Sequence, residues 1–313
     1  MNLPENLTEK LEALEERYGI RPLKSAAEQM SLSYREGERN GSALIGGEVS
    51  AAAYAICRMP ATFAAVSTAL KHTMAQRELG DIRSLLDVGA GTGTASMAVR
   101  EHLTLENNVL LERDPDMLKL GQSLLEGGEW IKGDGRTADY PKADMVISSY
   151  MLNELPPDVR LSVVKKMWQS AEKLLLIVEN GTPKGYEIIN EIGSYARSEG
   201  VTIVAPCSEV GKCPVEGEDW CHFTCRVSRN RAHKLLKGGD APYEDEKFTY
   251  IALSREKCPR AVARILRHPK IESGKITLTL CTKEGRETAI ITKKNKAAFK
   301  AARKADAGDS FEF

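Results

Sequence analysis

Leu85-Leu86-Asp87-Val88-Gly89-Ala90-Gly91-Thr92-Gly93 is the stretch on which the fold turns. Ser84 to Val88 is a short apolar run with strand character. Three alternating glycines follow at once, and Thr94 to Leu103 reads as a helix. A strand feeding a helix through such a turn bends tightly and lets a ligand approach main-chain N–H groups. Further along, Asn108–Leu111, Glu129–Ile131, Ala143–Ser148, Leu174–Val178 and Val201–Ala205 read as strands. Pro115–Leu125, Pro157–Lys173 and Lys184–Ser198 read as the helices between them. Near-continuous apolar strands alternating with amphipathic helices predict an α/β protein with a parallel sheet covered on both faces.

On the N-terminal side, residues 1–80 read as helical. Leu7, Leu11 and Leu14 fall at helical spacing, and Ser50 to Leu70 carries one charged residue, Arg58. Pro60 is expected to end or kink that helix. On the C-terminal side, Pro206 to Glu246 reads as irregular, Phe248–Ser254 as a strand, and Lys275–Cys281 with Glu287–Thr292 as a hairpin. Lys293–Lys304 reads as a helix and Asp306–Phe313 as a frayed tail. The organisation expected is a helical segment 1–80, a nucleotide-binding domain 81–254 with a Cys-rich insertion 206–246, and a basic β module 255–313.

The chain has 313 residues, 42% hydrophobic and 28% charged, as in ordinary globular proteins. No uninterrupted apolar run approaches the roughly 18 residues of a membrane span, and the Glu-rich start resembles neither a signal nor a transit peptide. The expected location is the cytoplasm, with no membrane partner. Overall, 44 basic residues balance 44 acidic ones. Arg226 to Lys304 holds 21 basic and 8 acidic residues, an excess of 21 − 8 = +13, and the remainder carries −13. Such asymmetry predicts a polyanionic partner, nucleic acid first, against the plainer reading of a solvated basic face.

Glu112 follows Gly89 by 23 residues at the end of the second strand, where a carboxylate can accept ribose hydroxyls. The glycines run G-x-G-x-G rather than G-x-G-x-x-G, Asp87 precedes them, and Asp134 lies between Gly133 and Gly135. The set resembles class I methyltransferases, against an NAD site or a fold that has lost its ligand. On that resemblance S-adenosylmethionine is the expected cofactor, on Asp87, Gly89, Gly91, Gly93, Glu112, Arg113, Asp134, Gly135 and Ser148. Asp87 is read as suited to the ammonium group. Ser148 to Pro156 lacks the Asn/Asp-Pro-Pro-aromatic turn of base-amino methyltransferases, and no catalytic residue is identified. Tyr150, Asn153 and Glu154 are candidate pocket residues, with capping and packing as the plainer reading.

Seven cysteines in a chain of this kind point to metal or redox chemistry. Cys57 stands alone in the apolar helix and reads as core. Cys207, Cys213, Cys221 and Cys225 crowd one loop, with Cys258 and Cys281 downstream. The spacing lacks paired C-x2-C knuckles. It leaves iron–sulfur and zinc both open, and the fourth ligand open among Cys225, Cys258 and Cys281.

Arg58-Met59-Pro60-Ala61-Thr62, Leu86 to Gly93, Leu152-Asn153-Glu154-Leu155-Pro156, Ile203 to Cys207, Trp220-Cys221-His222-Phe223 and Asp245-Glu246-Lys247-Phe248 together resemble a known family. It is the methyltransferase-like small ribosomal subunit proteins, which include a mitochondrial assembly factor. The resemblance implies a [4Fe–4S] cluster on Cys207, Cys213, Cys221 and Cys281, with Cys225 and Cys258 spare and zinc as runner-up. It implies binding to small-subunit ribosomal RNA, assigned here to Arg226–Lys304, during ribosome assembly. Active RNA methylation, and a small-molecule methyltransferase with an incidental basic tail, are the alternatives; the sequence does not give an oligomeric state.

Overall fold

The computed structural model describes residues 3–35, 46–207, 211, 213–215 and 219–312. In chain order the elements begin with helices α1 (Glu5–Tyr18), α2 (Ile20–Arg35) and α3 (Glu48–Met74). The alternating part follows as β1 (Ser84–Val88), α4 (Thr94–Arg100), β2 (Asn107–Glu112), α5 (Pro115–Leu124), β3 (Glu129–Lys132) and β4 (Ala143–Ser149). It continues as α6 (Pro157–Ser170), β5 (Ala171–Asn180), α7 (Pro183–Ser198) and β6 (Thr202–Ala205). Then come β7 (Phe223–Ser228), α8 (Arg231–Lys237), β8 (Tyr243–Ser254), β9 (Ala263–Ile265) and β10 (Lys270–Glu272). The chain closes with β11 (Lys275–Thr282), β12 (Gly285–Thr292), α9 (Lys296–Lys304) and β13 (Ser310–Phe311).

Contacts group these residues into two compact units, each built from several chain segments. The first comprises 1–68, 82–172 and 225–246, the second 69–81, 173–224 and 247–313. In the first, β3, β2, β1 and β4 lie side by side in that order, and the pairings of β1 with β2 and β4 and of β2 with β3 are parallel. Leu85, Leu86, Val88, Leu110, Leu111, Met145, Val146 and Ile147 are buried along them. Strands hidden on both faces are the signature of a Rossmann-like sheet. Asp114 caps α5 by accepting from the Asp116 and Met117 N–H groups, with Pro115 at the first helical position.

In the second unit β8 pairs antiparallel with both β5 and β6. A separate antiparallel sheet has β11 at its centre, paired with β12 along its length and with β10 and β9 on the other side. Ile265, Ile276, Leu278, Leu280, Ile291, Ala298, Ala302 and Phe311 form its core.

Three expectations need correction. Pro60 lies inside α3 without ending it; burial of the flanking Met59 and Ala61 holds the helix through the lost N–H. Residues 206–246 are not irregular throughout. β7 alternates buried and outward positions, and α8 is capped by Asn230 and stopped by the left-handed Gly238. The tail is not frayed: β13 pairs with β9, and Phe311 is buried in the core. By length and composition α3 could also cross a membrane, but 78% of its most apolar window is buried in this fold.

Candidate functional sites

The glycine turn is built by backbone demands. Gly89, Gly91 and Gly93 have φ of 72°, 57° and 77°, where a side chain is strained. The Gly89 and Ala90 N–H groups donate to the Leu111 carbonyl at 2.9 and 3.0 Å, pinning the turn to β2. The Gly91 N–H donates to Glu112 Oε2 at 2.7 Å, and the Asp114 N–H to Glu112 Oε1 at 2.8 Å. Burial pushes the Glu112 carboxyl above its ordinary range, and these donors oppose the shift.

A cleft of about 90 Å³ opens over the turn. Gly89, Gly91, Glu112, Arg113, Asp134 and Gly135 line it, as the sequence proposed. Asp87, Gly93 and Ser148 do not. Asp87 is fully buried and accepts from the Ser96 N–H at 3.1 Å and the Ser96 hydroxyl at 2.8 Å, tying β1 to α4. Its burial raises the carboxyl to about 7, and Oδ1 has no partner among the described residues. Ser148 donates to the Val88 carbonyl at 2.9 Å, locking β4 to β1. Asp134 is held by a fork from Arg136, whose hydrogen bonds keep its carboxyl below the ordinary range.

Sequence reasoning missed Tyr54, Met117, Ser149 and Met151 in the lining. Tyr54 comes from α3, just before the Arg58–Thr62 motif, and Met117 from α5; neither was read as a cleft residue. Of the candidates after β4, Tyr150 and Glu154 line the cleft, whereas Asn153 donates to the Tyr150 carbonyl at 2.7 Å. Tyr150 is the described non-glycine residue with positive φ, 57°. That strain is held by its surroundings. Its hydroxyl donates to Glu246 Oε1 at 3.2 Å, Arg58 donates to the same oxygen at 3.0 Å, and the guanidinium lies 5.3 Å from the ring centroid.

The donor set fits a nucleoside: two carboxylates flank a glycine-lined backbone. The volume is small against the roughly 300 Å³ of ordinary ligand pockets. Met151 packs closely over the turn: a Cβ on Gly89 would fall 2.5 Å from its Cγ.

The second site lies in the second unit. Cys207 follows β6, Cys213 and Cys221 sit in the loop before β7, and Cys281 comes from β11. All four line one cavity of about 20 Å³, with Pro206, Pro214, Val215 and Leu266 around them. All are free thiols. Burial, then the charge of Cys213, raises the Cys207 thiol to about 11. Burial and the neighbouring Cys207, Cys213 and Cys281 raise Cys221 well above its ordinary value.

The loop is tied down by Trp220, which donates to the Gly181 carbonyl at 2.8 Å, and by Asp219, which meets Arg267 at 2.5 Å and Arg286 at 2.8 Å. His222 Nδ1–H donates to the Trp220 carbonyl at 3.0 Å, and the ring does not line the cavity. Neither do Cys57, Cys225 and Cys258. Cys225 is buried on β7, and Cys258 lies against Ser254 and the Glu256 carbonyl.

Among the described residues no three His, Cys, Asp or Glu side chains converge as ligands of a single ion. The four thiols share one cavity lining, and four cysteines are a holding set for an iron–sulfur cluster and for zinc alike. The cavity has room for about one water, so such a group requires the sulfurs to swing outward.

Residues 48–312 match the family described as mitochondrial small ribosomal subunit Rsm22. The chain belongs to the Rsm22 family. A curated human relative, the mitochondrial ribosome assembly protein METTL17, is 25% identical, covering 76% of this chain and 57% of that protein. This Rsm22-family chain therefore spans little more than half of that relative's length. Among solved structures, an RNA methyltransferase of Pyrococcus horikoshii, so described tentatively, aligns at a TM-score of 0.41 and 15% identity, over 59% of this chain and 80% of that one. The magnesium protoporphyrin IX methyltransferase of Synechocystis PCC 6803 aligns at 0.40 and 14%, over 71% and 90%. The Rossmann-like α/β fold of this family member rests on its own strand order.

Proposed function

We propose that this chain acts in assembly of the small ribosomal subunit, binding small-subunit ribosomal RNA, and carries S-adenosylmethionine in the glycine cleft and a [4Fe–4S] cluster on Cys207, Cys213, Cys221 and Cys281. Family membership and the human assembly protein support the ribosomal role. The observation that carries the cluster is selective convergence. Sulfurs from stretches 60 residues apart in sequence, Cys221 and Cys281, face one cavity, while three other cysteines lie elsewhere. Burial and mutual proximity hold these thiols in the neutral form, and a bound cationic centre would favour the thiolates. The cluster would tie the loop before β7 to β11.

Anaerobically purified protein is expected to be brown and to carry about four iron and four sulfide per chain. Cys281→Ser should lose that iron, and Cys225→Ser should keep it. A colourless, zinc-loaded protein from the same preparation refutes the assignment.

A second reading is S-adenosylmethionine-dependent methylation of the RNA. The strained Tyr150 favours it, because strain held over a cleft is typical of functional sites. Methyl transfer needs chiefly orientation of donor and acceptor. Glu112→Gln separates the two: assembly is retained if the fold serves as a scaffold and is lost if methylation is required.

A further inference from the structure

A third cavity, of about 320 Å³, lies in the second unit among Lys71 and His72 of α3, Arg264 of β9, and Lys304, Asp309 and Phe311 near the C-terminus. Arg264 is only 1% exposed. Its Nε donates to the Pro206 carbonyl at 2.9 Å and its Nη1 to the Gly308 carbonyl at 2.8 Å. Its Nη2 has no acceptor among the described residues. A buried guanidinium N–H left without an acceptor is costly and calls for an explanation. Arg264 lines both the cysteine cavity and this one, and in this one a ligand oxygen would supply the missing acceptor.

The charges around it agree. Lys71 and Lys304 are exposed and enter no ion pair among the described residues. Asp309 opposes them, accepting the Asp306 N–H at 2.8 Å. His72 is neutral, its burial pushing it down to about 3. Three cations thus face one carboxylate.

Lys304 is also the inner end of a longer row. Lys293, Lys294, Lys296, Lys300 and Arg303 are all exposed, none has an ion-pair partner among the described residues, and the stretch holds no acidic residue. α9 turns Ala298 and Ala302 inward, which leaves its cations to solvent. By contrast, many cations nearer Arg226 are already neutralised: Arg226 by Asp245, and Arg229 and Lys237 by Glu244.

We propose that this cavity seats a phosphate group of a nucleic-acid backbone, with Arg264, Lys71 and Lys304 on its oxygens and the α9 row meeting the phosphates that follow. A planar guanidinium suits phosphate oxygens, and ammonium groups at the rim add charge without demanding geometry. The nucleic-acid part rests on the ribosomal RNA reading above; the phosphate site does not.

The test uses the whole protein titrated with inorganic phosphate by calorimetry, in chloride buffer of matched ionic strength, and separately with a single-stranded RNA oligonucleotide across a salt series. Wild type should bind phosphate saturably. The double substitution Lys71→Glu/Lys304→Glu should weaken that binding at least tenfold, and Lys294→Glu/Lys296→Glu should leave it unchanged. Arg264→Lys, which keeps the charge, should weaken it while far-ultraviolet circular dichroism stays that of wild type. For RNA, Lys71→Glu/Lys304→Glu should flatten the plot of log affinity against log salt by about 0.7 for each phosphate that is no longer neutralised. The control Lys24→Glu/Lys184→Glu, at two exposed lysines outside Arg226–Lys304, should not. Absence of saturable phosphate binding, or phosphate binding indifferent to Lys71→Glu/Lys304→Glu, overturns the site. Phosphate binding with no RNA binding overturns the backbone assignment and, with it, the RNA reading.

Discussion

Asp87 offers the sharpest test of how the glycine turn is built. Its carboxyl is fully buried, raised to about 7 by that burial, and satisfied on one oxygen by Ser96 while the other has no partner among the described residues. In the unfolded chain the same group titrates near 3.8. The native state therefore holds more protons than the unfolded state between about pH 4 and 7, and its stability falls as pH rises through that window. About three pKa units at roughly 1.4 kcal/mol each make this cost approach about 4 kcal/mol by pH 8. Asp87→Asn keeps an acceptor for Ser96 and removes the charge. Its amide still buries an unmatched donor, at about 1–3 kcal/mol. At pH 4 the variant should be equal to or less stable than wild type, and at pH 8 more stable by about 1–3 kcal/mol. The assay is urea unfolding of both proteins at half-unit steps from pH 4 to 8. A stability difference that stays flat across the range refutes the reasoning. S-adenosylmethionine affinity should be the same in both proteins, because Asp87 does not line the cleft.

Four further outcomes follow from the same geometry. Met151→Ala clears the space over Gly89 and should tighten S-adenosylmethionine binding about tenfold by calorimetry, whereas Met151→Trp should abolish it. Arg58→Ala leaves Glu246 with only the Tyr150 hydroxyl from this network and should cost about 1–3 kcal/mol by chemical denaturation, with Arg58→Lys recovering only part of it because lysine does not stack on the Tyr150 ring. Gly185→Ala would set a Cβ 1.9 Å from the Asn180 carbonyl oxygen at the start of α7. It should lower stability by about 1–3 kcal/mol in the same assay, or more if the helix cannot shift. Leu11→Ala, on the fully buried stripe of α1, should cost about 2–5 kcal/mol.

The parallel strands were legible because their apolar runs are broken by clear turn chemistry, as at Gly89 to Gly93 and at Asp114-Pro115. The cleft was legible only where a motif supplied it. Gly89, Glu112 and Asp134 sit at strand ends, where topology dictates a site, and they line the cleft. Asp87 and Ser148 do not line it, because adjacency to a motif does not say which way a strand side chain faces. Asp87 ties to α4 and Ser148 to β1, so both face the protein interior. Tyr54 and Met151 were invisible for the opposite reason: they reach the cleft through tertiary packing, which local sequence does not encode. The α8 and β7 elements were hidden by length, being too short for periodicity to outweigh the charges and cysteines around them. Spacing alone could not choose among Cys225, Cys258 and Cys281. The strand pairing that carries Cys281 to the other thiols is a long-range contact.

The Lys283-Glu284 link between β11 and β12 is two residues long, and eight paired positions follow from it. Within that ladder Cys281 stands opposite Arg286 on one side and Arg264 on the other. Side chains alternate along a strand, so one residue inserted or deleted between Lys275 and Cys281 would rotate the sulfur to the opposite surface. The same change at the hairpin tip would merely lengthen a loop. Natural length variation in relatives of this chain should therefore collect at the tip and spare the six positions before the thiol.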